Sequence, residues 1–266
     1  MKIGIIGLGL IGGSIFKNLI STDNTLYVVT RNKETQQKIK HFTQACSDDY
    51  AILKDCEVVF VCTPIHKILE TLDKIEKIIS KDCIVTDVAS VKEFVTTKKR
   101  PYKFIPSHPM AGTENSGYNA SFKDLFIGAK WVLTPYDCQE TEVLITLIKQ
   151  MGAEPIIAKP KEHDEAVAMI SHFPMYAAQC LFSTAKDNKL ALKLAASGFR
   201  DTTRLAMSDL NLACDMMHFN KANIENAQKV FENELHNLKT DDYLEKITQI
   251  QKQRRALYSK DGKNVF

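Results

Sequence analysis

Fourteen residues at the amino terminus, Met1 through Ser14, leave the chain little choice of architecture. A short Ile-rich run opens directly into Gly7-Leu8-Gly9-Leu10-Ile11-Gly12, and an apolar helical pattern follows from Leu10 to Ile20. Strand, tight turn and helix in this order make the phosphate-binding start of a dinucleotide fold. Each glycine has its own reason: Gly7 permits the turn, Gly9 lets backbone approach a pyrophosphate, and Gly12 lets the helix pack closely on the strand. Backbone N–H groups and the positive end of the helix dipole then face the phosphates. Gly7, Leu8, Gly9, Leu10, Ile11 and Gly12 are accordingly assigned to cofactor binding.

The next segments repeat the alternation. Leu26–Val29 reads as a strand ending at Thr30-Arg31-Asn32. A carboxylate at this strand end binds the ribose 2′-hydroxyl of NAD, whereas an Arg accommodates the 2′-phosphate of NADP. Thr30 and Arg31 stand there without an acid, which favours NADP over NAD. Glu57–Pro64 reads as a buried strand whose end, Cys62-Thr63-Pro64, should line the cofactor, and a helical pattern runs from His66 to Ile79. Ile84–Asp87 is a further strand, Trp131–Pro135 another, Glu140–Met151 a helix and Gly152–Ile157 the last strand. This order predicts an α/β, Rossmann-type, doubly wound and mainly parallel sheet.

Beyond Pro160 helical patterns dominate, so the expected division is a dinucleotide-binding domain over 1–160 and an all-helical substrate-binding and dimerisation domain over 161–266. A long helix from Glu162 through Thr184 should form the hinge. Its apolar stretch Ala166–Ala185 is interrupted by Ser171, His172, Pro174 and Gln179, and reads as a buried helix, not a membrane span. Phe219–Leu238 and Asp242–Leu257 complete the helical part. Several of their faces are too apolar for a small monomer, which predicts a homodimer. Residues Ser259 to Phe266 read as a frayed polar tail.

Composition narrows the function. With 35 basic and 32 acidic residues and a net charge of +3, the chain has no basic stripe interleaved with aromatics and so no nucleic-acid footprint. Its seven cysteines are odd in number and scattered, with neither a disulfide framework nor zinc-ligand spacing; no signal peptide precedes the glycine motif. A cytoplasmic enzyme without metal is expected.

The chemistry should begin after Phe104, where a stretch crowded with Ser, His, Pro, Gly, Thr and Glu runs to Gly117 at the predicted crevice. His108 is there either a satisfied structural histidine or the proton acceptor for an alcohol losing hydride, a role that suits a group titrating near neutrality. His163 and His172, nine residues apart, fall on opposite faces of an ideal helix and cannot pair on a metal. His172 precedes Phe173-Pro174, so a structural bond to a carbonyl freed by the proline is as fitting as a ligand role. In Ser197–Arg204 an arginine is either solvated charge or a bidentate carboxylate binder.

Together these residues resemble the prephenate and arogenate dehydrogenase family. Four blocks carry the resemblance, over Met1 to about Leu238: Gly7–Ser14, Thr86–Lys92 (TDVASVK), Ser107–Thr113 (SHPMAGT) and Ser197–Arg204 (SGFRDTTR). The first is shared by many dehydrogenases, and the other three together are specific. The resemblance implies an NAD(P)-dependent oxidative decarboxylation in which His108 takes the ring hydroxyl proton and Ser90 helps fix that hydroxyl. Arg204 would bind a substrate carboxylate, with Gly112 and Thr113 alongside. Glu114 and Asp164 would form a polar network near the entrance, and Ser171 and His172 would match a Ser-His-x-Pro motif at the substrate. Met175 stands where many members have a second His, and Ser208–Ala213 departs from the family pattern. With Arg31, these departures look more like the compact NADP-using arogenate branch. Two rivals share part of the pattern: a β-hydroxyacid-type dehydrogenase, which would place a catalytic Lys on the hinge helix, and a nucleotide-binding module without turnover, which would need no proton acceptor.

Overall fold

The computed structural model describes residues 1–113, 115–136, 140–239, 242–260 and 263–264. A six-stranded, all-parallel sheet forms its first layer, built from β1 (Lys2–Ile6), β2 (Thr25–Val29), β3 (Ala45–Ser47), β4 (Val58–Val61), β5 (Ile84–Asp87) and β6 (Lys103–Phe104) in the spatial order 3-2-1-4-5-6. Helix α1 (Leu10–Leu19) follows β1, α2 (Lys33–Ile39) follows β2 and α3 (Ile68–Ile75) follows β4. The strand order reverses between β1 and β4, and the crevice above such a switch point is where dinucleotides bind in this architecture.

Side-chain alternation along one strand explains why helices cover both faces. Ile3 and Ile5 point into one layer with Phe16, Leu19, Leu144 and Leu147, while Ile6 points into the other with Ile68, Leu72 and Ile75. Buried completely, each such side chain contributes about 1.5–3 kcal/mol, so β1 is clamped from both sides.

A second, three-stranded sheet holds β7 (Ser107–Pro109), β8 (Lys130–Leu133) and β9 (Glu154–Ile157), with α4 (Glu142–Gln150) between the last two. The mainly parallel arrangement expected from sequence holds, and its one antiparallel pair here is β7 with β8, which places His108 opposite Val132. Pro106, which has no N–H to give a ladder, separates β6 from β7.

The helical part starts at α5 (Pro160–Val167), with Pro160 in its first turn where a missing N–H costs nothing. A π turn over Ala168–His172 and α6 (Phe173–Ala185) continue it, followed by α7 (Lys189–Leu194), α8 (Ser197–Thr203), α9 (Leu210–Phe219), α10 (Lys221–Asn237) and α11 (Tyr243–Leu257). The expected continuous helix is therefore interrupted. Pro174 cannot donate to the carbonyl one turn earlier, and the wider turn just before it absorbs that lost bond. Nor is Ala166–Ala185 buried throughout: Ile170 is 69% exposed, and Met169, Leu181 and Phe182 face outward as well. At the end of the chain Ser259–Lys260 pairs antiparallel with Lys263–Asn264, so part of the expected frayed tail is paired. Among the described residues no helix is long and apolar enough to cross a membrane.

Candidate active site

The glycine turn has the geometry its residues dictate. Gly7 adopts φ +88°, a conformation that an L side chain rarely tolerates, and a Cβ there would meet the carbonyl oxygen of Cys62 at 2.8 Å. A Cβ on Gly12 would lie 2.1 Å from the carbonyl oxygen of Gly7, so α1 can approach β1 only without one. Above Gly9 nothing lies within 4 Å. This open side, bordered by free first-turn N–H groups of a helix with no acidic residue in that turn, is a fitting cradle for a pyrophosphate.

Neighbouring strand ends complete the cradle. Cys62 N–H donates to Ile6 carbonyl at 2.7 Å, which fixes Cys62-Thr63-Pro64 beside the glycine turn, and the buried Thr63 hydroxyl has no partner among the described residues. At the end of β2, Thr30 is buried and its carbonyl accepts the Gln36 amide at 2.6 Å. Arg31 is exposed, and the strand end Thr30-Arg31-Asn32 itself contains no acidic residue.

His108 lies on β7, 9% exposed, held from below by a buried polar network. The Lys92 ammonium is fully buried, pairs with Asp87 and donates to the Ser107 carbonyl at 2.6 Å. Ser107 hydroxyl donates to the Asp87 carbonyl at 2.7 Å and accepts from the Trp131 indole at 3.0 Å and the Thr86 hydroxyl at 2.9 Å. The backbone that carries His108 is thus fixed on both sides, and the TDVASVK block supplies most of the fixing.

From α5, His163 brings its Nε2 to 2.9 Å from Nδ1 of His108, and Nδ1 of His163 lies 2.7 Å from a carboxylate oxygen of Asp164. The same carboxylate accepts the backbone N–H groups of Lys92 at 2.7 Å and Glu93 at 2.8 Å. Burial, reinforced by His163, Lys92 and His172, holds the His108 imidazole well below its ordinary pKa, so it is a neutral ring at neutral pH.

His172 is completely buried. Its Nδ1 receives the Asn220 side-chain amide at 3.0 Å, while that amide also donates to the Asp164 carbonyl at 2.9 Å. An amide NH2 has only donors, so Nδ1 of His172 is the acceptor and its Nε2 carries the proton. Among the described residues that N–H is buried without a partner, and so is the Ser90 hydroxyl. Burial also lowers the His172 pKa to about 4. Buried polar groups left without a partner are what a bound polar substrate would satisfy, and the charge of one of them, His172, would bear on His108.

Several expectations need correction. Asp164 is 1% exposed and fully engaged by two amides and an imidazole, so it is not part of a network at an entrance; Glu114, its expected partner, lies outside the described residues. His163 and His172 do not face opposite ways. The π turn between them advances less per residue than an α-helix, and the charge of either ring would bear on His108. His172 is held by Asn220 and not by a carbonyl freed at Pro174. Met175 is buried among Ala213, Met216 and Leu205.

Other predicted residues lie on the open side. Gly112 and Thr113 are exposed, and Ser171 is half-buried. Arg200 is spent on Asp201 at 2.8 Å, whereas Arg204 is exposed and forms no ion pair among the described residues. The sequence reading missed His163, Lys92, Asp87 and Asn220 as functional supports. It also missed the His66–Asp215 contact of 2.8 Å that ties the turn after β4 to α9. A His-Asp dipeptide at the head of the first helix beyond the sheet was the available cue. Among the described residues no cluster of ligating side chains could hold a metal, and a cavity of about 640 Å³ beside Met1, Cys56 and Cys83 lies at the opposite, amino-terminal ends of the strands.

Comparison with known proteins matches residues 19–157 to the family described as "Prephenate dehydrogenase, nucleotide-binding domain" and residues 159–254 to "Prephenate dehydrogenase, dimerization domain". Prephenate dehydrogenase of Lactococcus lactis is 35% identical over 78% of this chain, which spans 62% of that protein's length. Prephenate dehydrogenase of Bacillus subtilis is 30% identical over 98% of this chain and 71% of its own length. Among solved structures, Synechocystis arogenate dehydrogenase superposes with a TM-score of 0.83 at 32% identity, covering 97% of this chain and 100% of that one. Prephenate dehydrogenase from A. aeolicus, in complex with hydroxyphenyl propionate and NAD+, does so with a TM-score of 0.85 at 27% identity, covering 97% and 98%. The glycine cradle, the buried His108 and these matches converge on one result: the chain belongs to the prephenate and arogenate dehydrogenase family, the NAD(P)-dependent dehydrogenases of tyrosine biosynthesis.

Proposed function

We propose that this chain oxidatively decarboxylates arogenate or prephenate with NAD(P), giving tyrosine or 4-hydroxyphenylpyruvate, and that arogenate with NADP is its preferred pair. The observation that carries the reading is the neutral, buried His108 imidazole, whose Nδ1 lies 2.9 Å from Nε2 of His163. A bound nicotinamide supplies the hydride acceptor. As hydride leaves the carbinol carbon, His108 takes the hydroxyl proton while Ser90 fixes the oxygen. Carbon dioxide leaves the opposite ring carbon, its bonding pair completes the aromatic ring, and His108 returns the proton to the phenolic oxygen. Protons and charge then balance with no further acid. Arg204 binds a substrate carboxylate, and the free Nε2–H of His172 donates to another substrate oxygen.

Preference for NADP is supported by Arg31, exposed at the end of β2 where Thr30-Arg31-Asn32 offers no acidic residue. Preference for arogenate rests on Met175, which offers no charge where many relatives have a second histidine. The two domains divide near Pro160, as the change from strands to helices suggests. A homodimer through the helical domain would cover its outward apolar side chains, among them Met207 and Leu210. A cytoplasmic location suits cysteines that are unpaired among the described residues.

Initial rates with arogenate and with prephenate, each with NADP and with NAD, test the proposal. Turnover with arogenate and NADP is expected to exceed the other pairs. Faster turnover with prephenate and NAD would overturn both preferences, and no turnover in any pair would overturn the reaction.

A further inference from the structure

Resting on the role of His108 given above, we propose that His163, oriented by Asp164, is a positioning residue that fixes the tautomer of His108 and so makes its Nε2 the proton acceptor. The argument is one of counting protons. Two backbone N–H groups already donate to the Asp164 carboxylate, at 2.7 and 2.8 Å, and an ionised carboxylate only accepts. The imidazole 2.7 Å away must therefore donate from its Nδ1. A neutral imidazole carries one N–H, so Nε2 of His163 is left as an acceptor. It lies 2.9 Å from Nδ1 of His108, which must supply the proton of that bond.

His108 then has its own single proton on Nδ1 and a lone pair on Nε2. During the reaction the hydroxyl proton adds to Nε2, the Nδ1 proton stays in its bond to His163, and Nε2 later gives its proton back. Among the described residues no other hydrogen bond reaches the His108 ring: Lys92 and Asp87 hold the strand backbone instead. The adjacency of His163 and Asp164 in sequence lets one turn of α5 present both the ring and the carboxylate that sets it.

Long-range 1H–15N spectra of the imidazoles in the wild-type protein, assigned with His108→Asn, read the tautomer directly. The Nδ1–H form of His108 is expected, and the Nε2–H form would overturn the proposal. His163→Leu removes the acceptor at similar bulk, and kcat should fall about 10²–10⁴-fold with KM and dinucleotide affinity nearly unchanged. His163→Gln keeps an oxygen acceptor and should recover part of that loss. If His163→Leu retained full kcat while His108→Asn was inactive, the positioning role would be refuted and the base assignment would stand. Full activity in both variants would refute the base assignment itself.

Discussion

The same substitution at two glycines of the nucleotide turn should have opposite consequences. In Gly12→Ala the new Cβ starts 2.1 Å from the Gly7 carbonyl oxygen and 2.9 Å from the Cys62 Cβ, against an ordinary contact of at least 3.4 Å. The helix must retreat by about 1.3 Å, the difference between 3.4 and 2.1 Å, and the obstacle is backbone that cannot swing aside. Overpacking of this kind costs about 1–3 kcal/mol. The better helix propensity of Ala returns up to about 1 kcal/mol. A backbone clash belongs at the upper end, so a net loss of about 2 kcal/mol is expected, or about 4–8 °C in Tm for a chain of this size. Gly9→Ala meets nothing within 4 Å and should cost less than about 1 kcal/mol, the scale of a changed helix cap. Its methyl occupies the open side of the cradle, so dinucleotide affinity should fall about tenfold or more. Thermal melts and calorimetric titration with NADP and NAD separate the two effects. A stable Gly12→Ala protein, or a Gly9→Ala protein with undiminished affinity, would refute the assigned roles.

Other consequences are equally open to measurement. The folded His172 pKa of about 4 lies below that of an unfolded histidine, so the unfolded state binds more protons between the two values. Stability from this group is complete above about pH 6.5 and is lost as pH falls toward about 4, by on the order of 3 kcal/mol. Denaturation curves across this window should be steeper in pH for the wild type than for His172→Gln; equal slopes would count against a neutral buried ring. Arg31→Asp should move preference from NADP toward NAD, and an unchanged ratio of kcat/KM values would remove Arg31 from cofactor choice. Arg204→Gln should raise KM for the carboxylate substrate with little change in kcat; an unchanged KM would place the carboxylate elsewhere.

Much of the fold was legible in sequence because local pattern and tertiary outcome coincide there. The Ile-rich β1, the glycine turn and the strand of Val58–Val61 are each fixed by neighbours in sequence, and a parallel sheet needs the crossover helices the pattern supplies. Legibility ended where a residue's role depends on partners distant in sequence. His163 gains its function from His108 and from backbone amides at Lys92 and Glu93, and no periodicity of α5 reveals them. Asp164 was placed near an entrance by the family resemblance, whereas its partners, the backbone amides of Lys92 and Glu93 and the ring of His163, put it in the interior. Ala166–Ala185 looked like core because it is apolar, but Met169, Ile170, Leu181 and Phe182 face outward. The π turn escaped notice because the period of a helix is assumed before its phase is read.

The central claim, that His108 is the proton acceptor, is tested most directly by kcat of His108→Asn at saturating substrate and dinucleotide. A fall of about 10²–10⁴-fold is predicted, the usual contribution of general base catalysis, with dinucleotide affinity intact. A kcat within severalfold of the wild type would contradict the account.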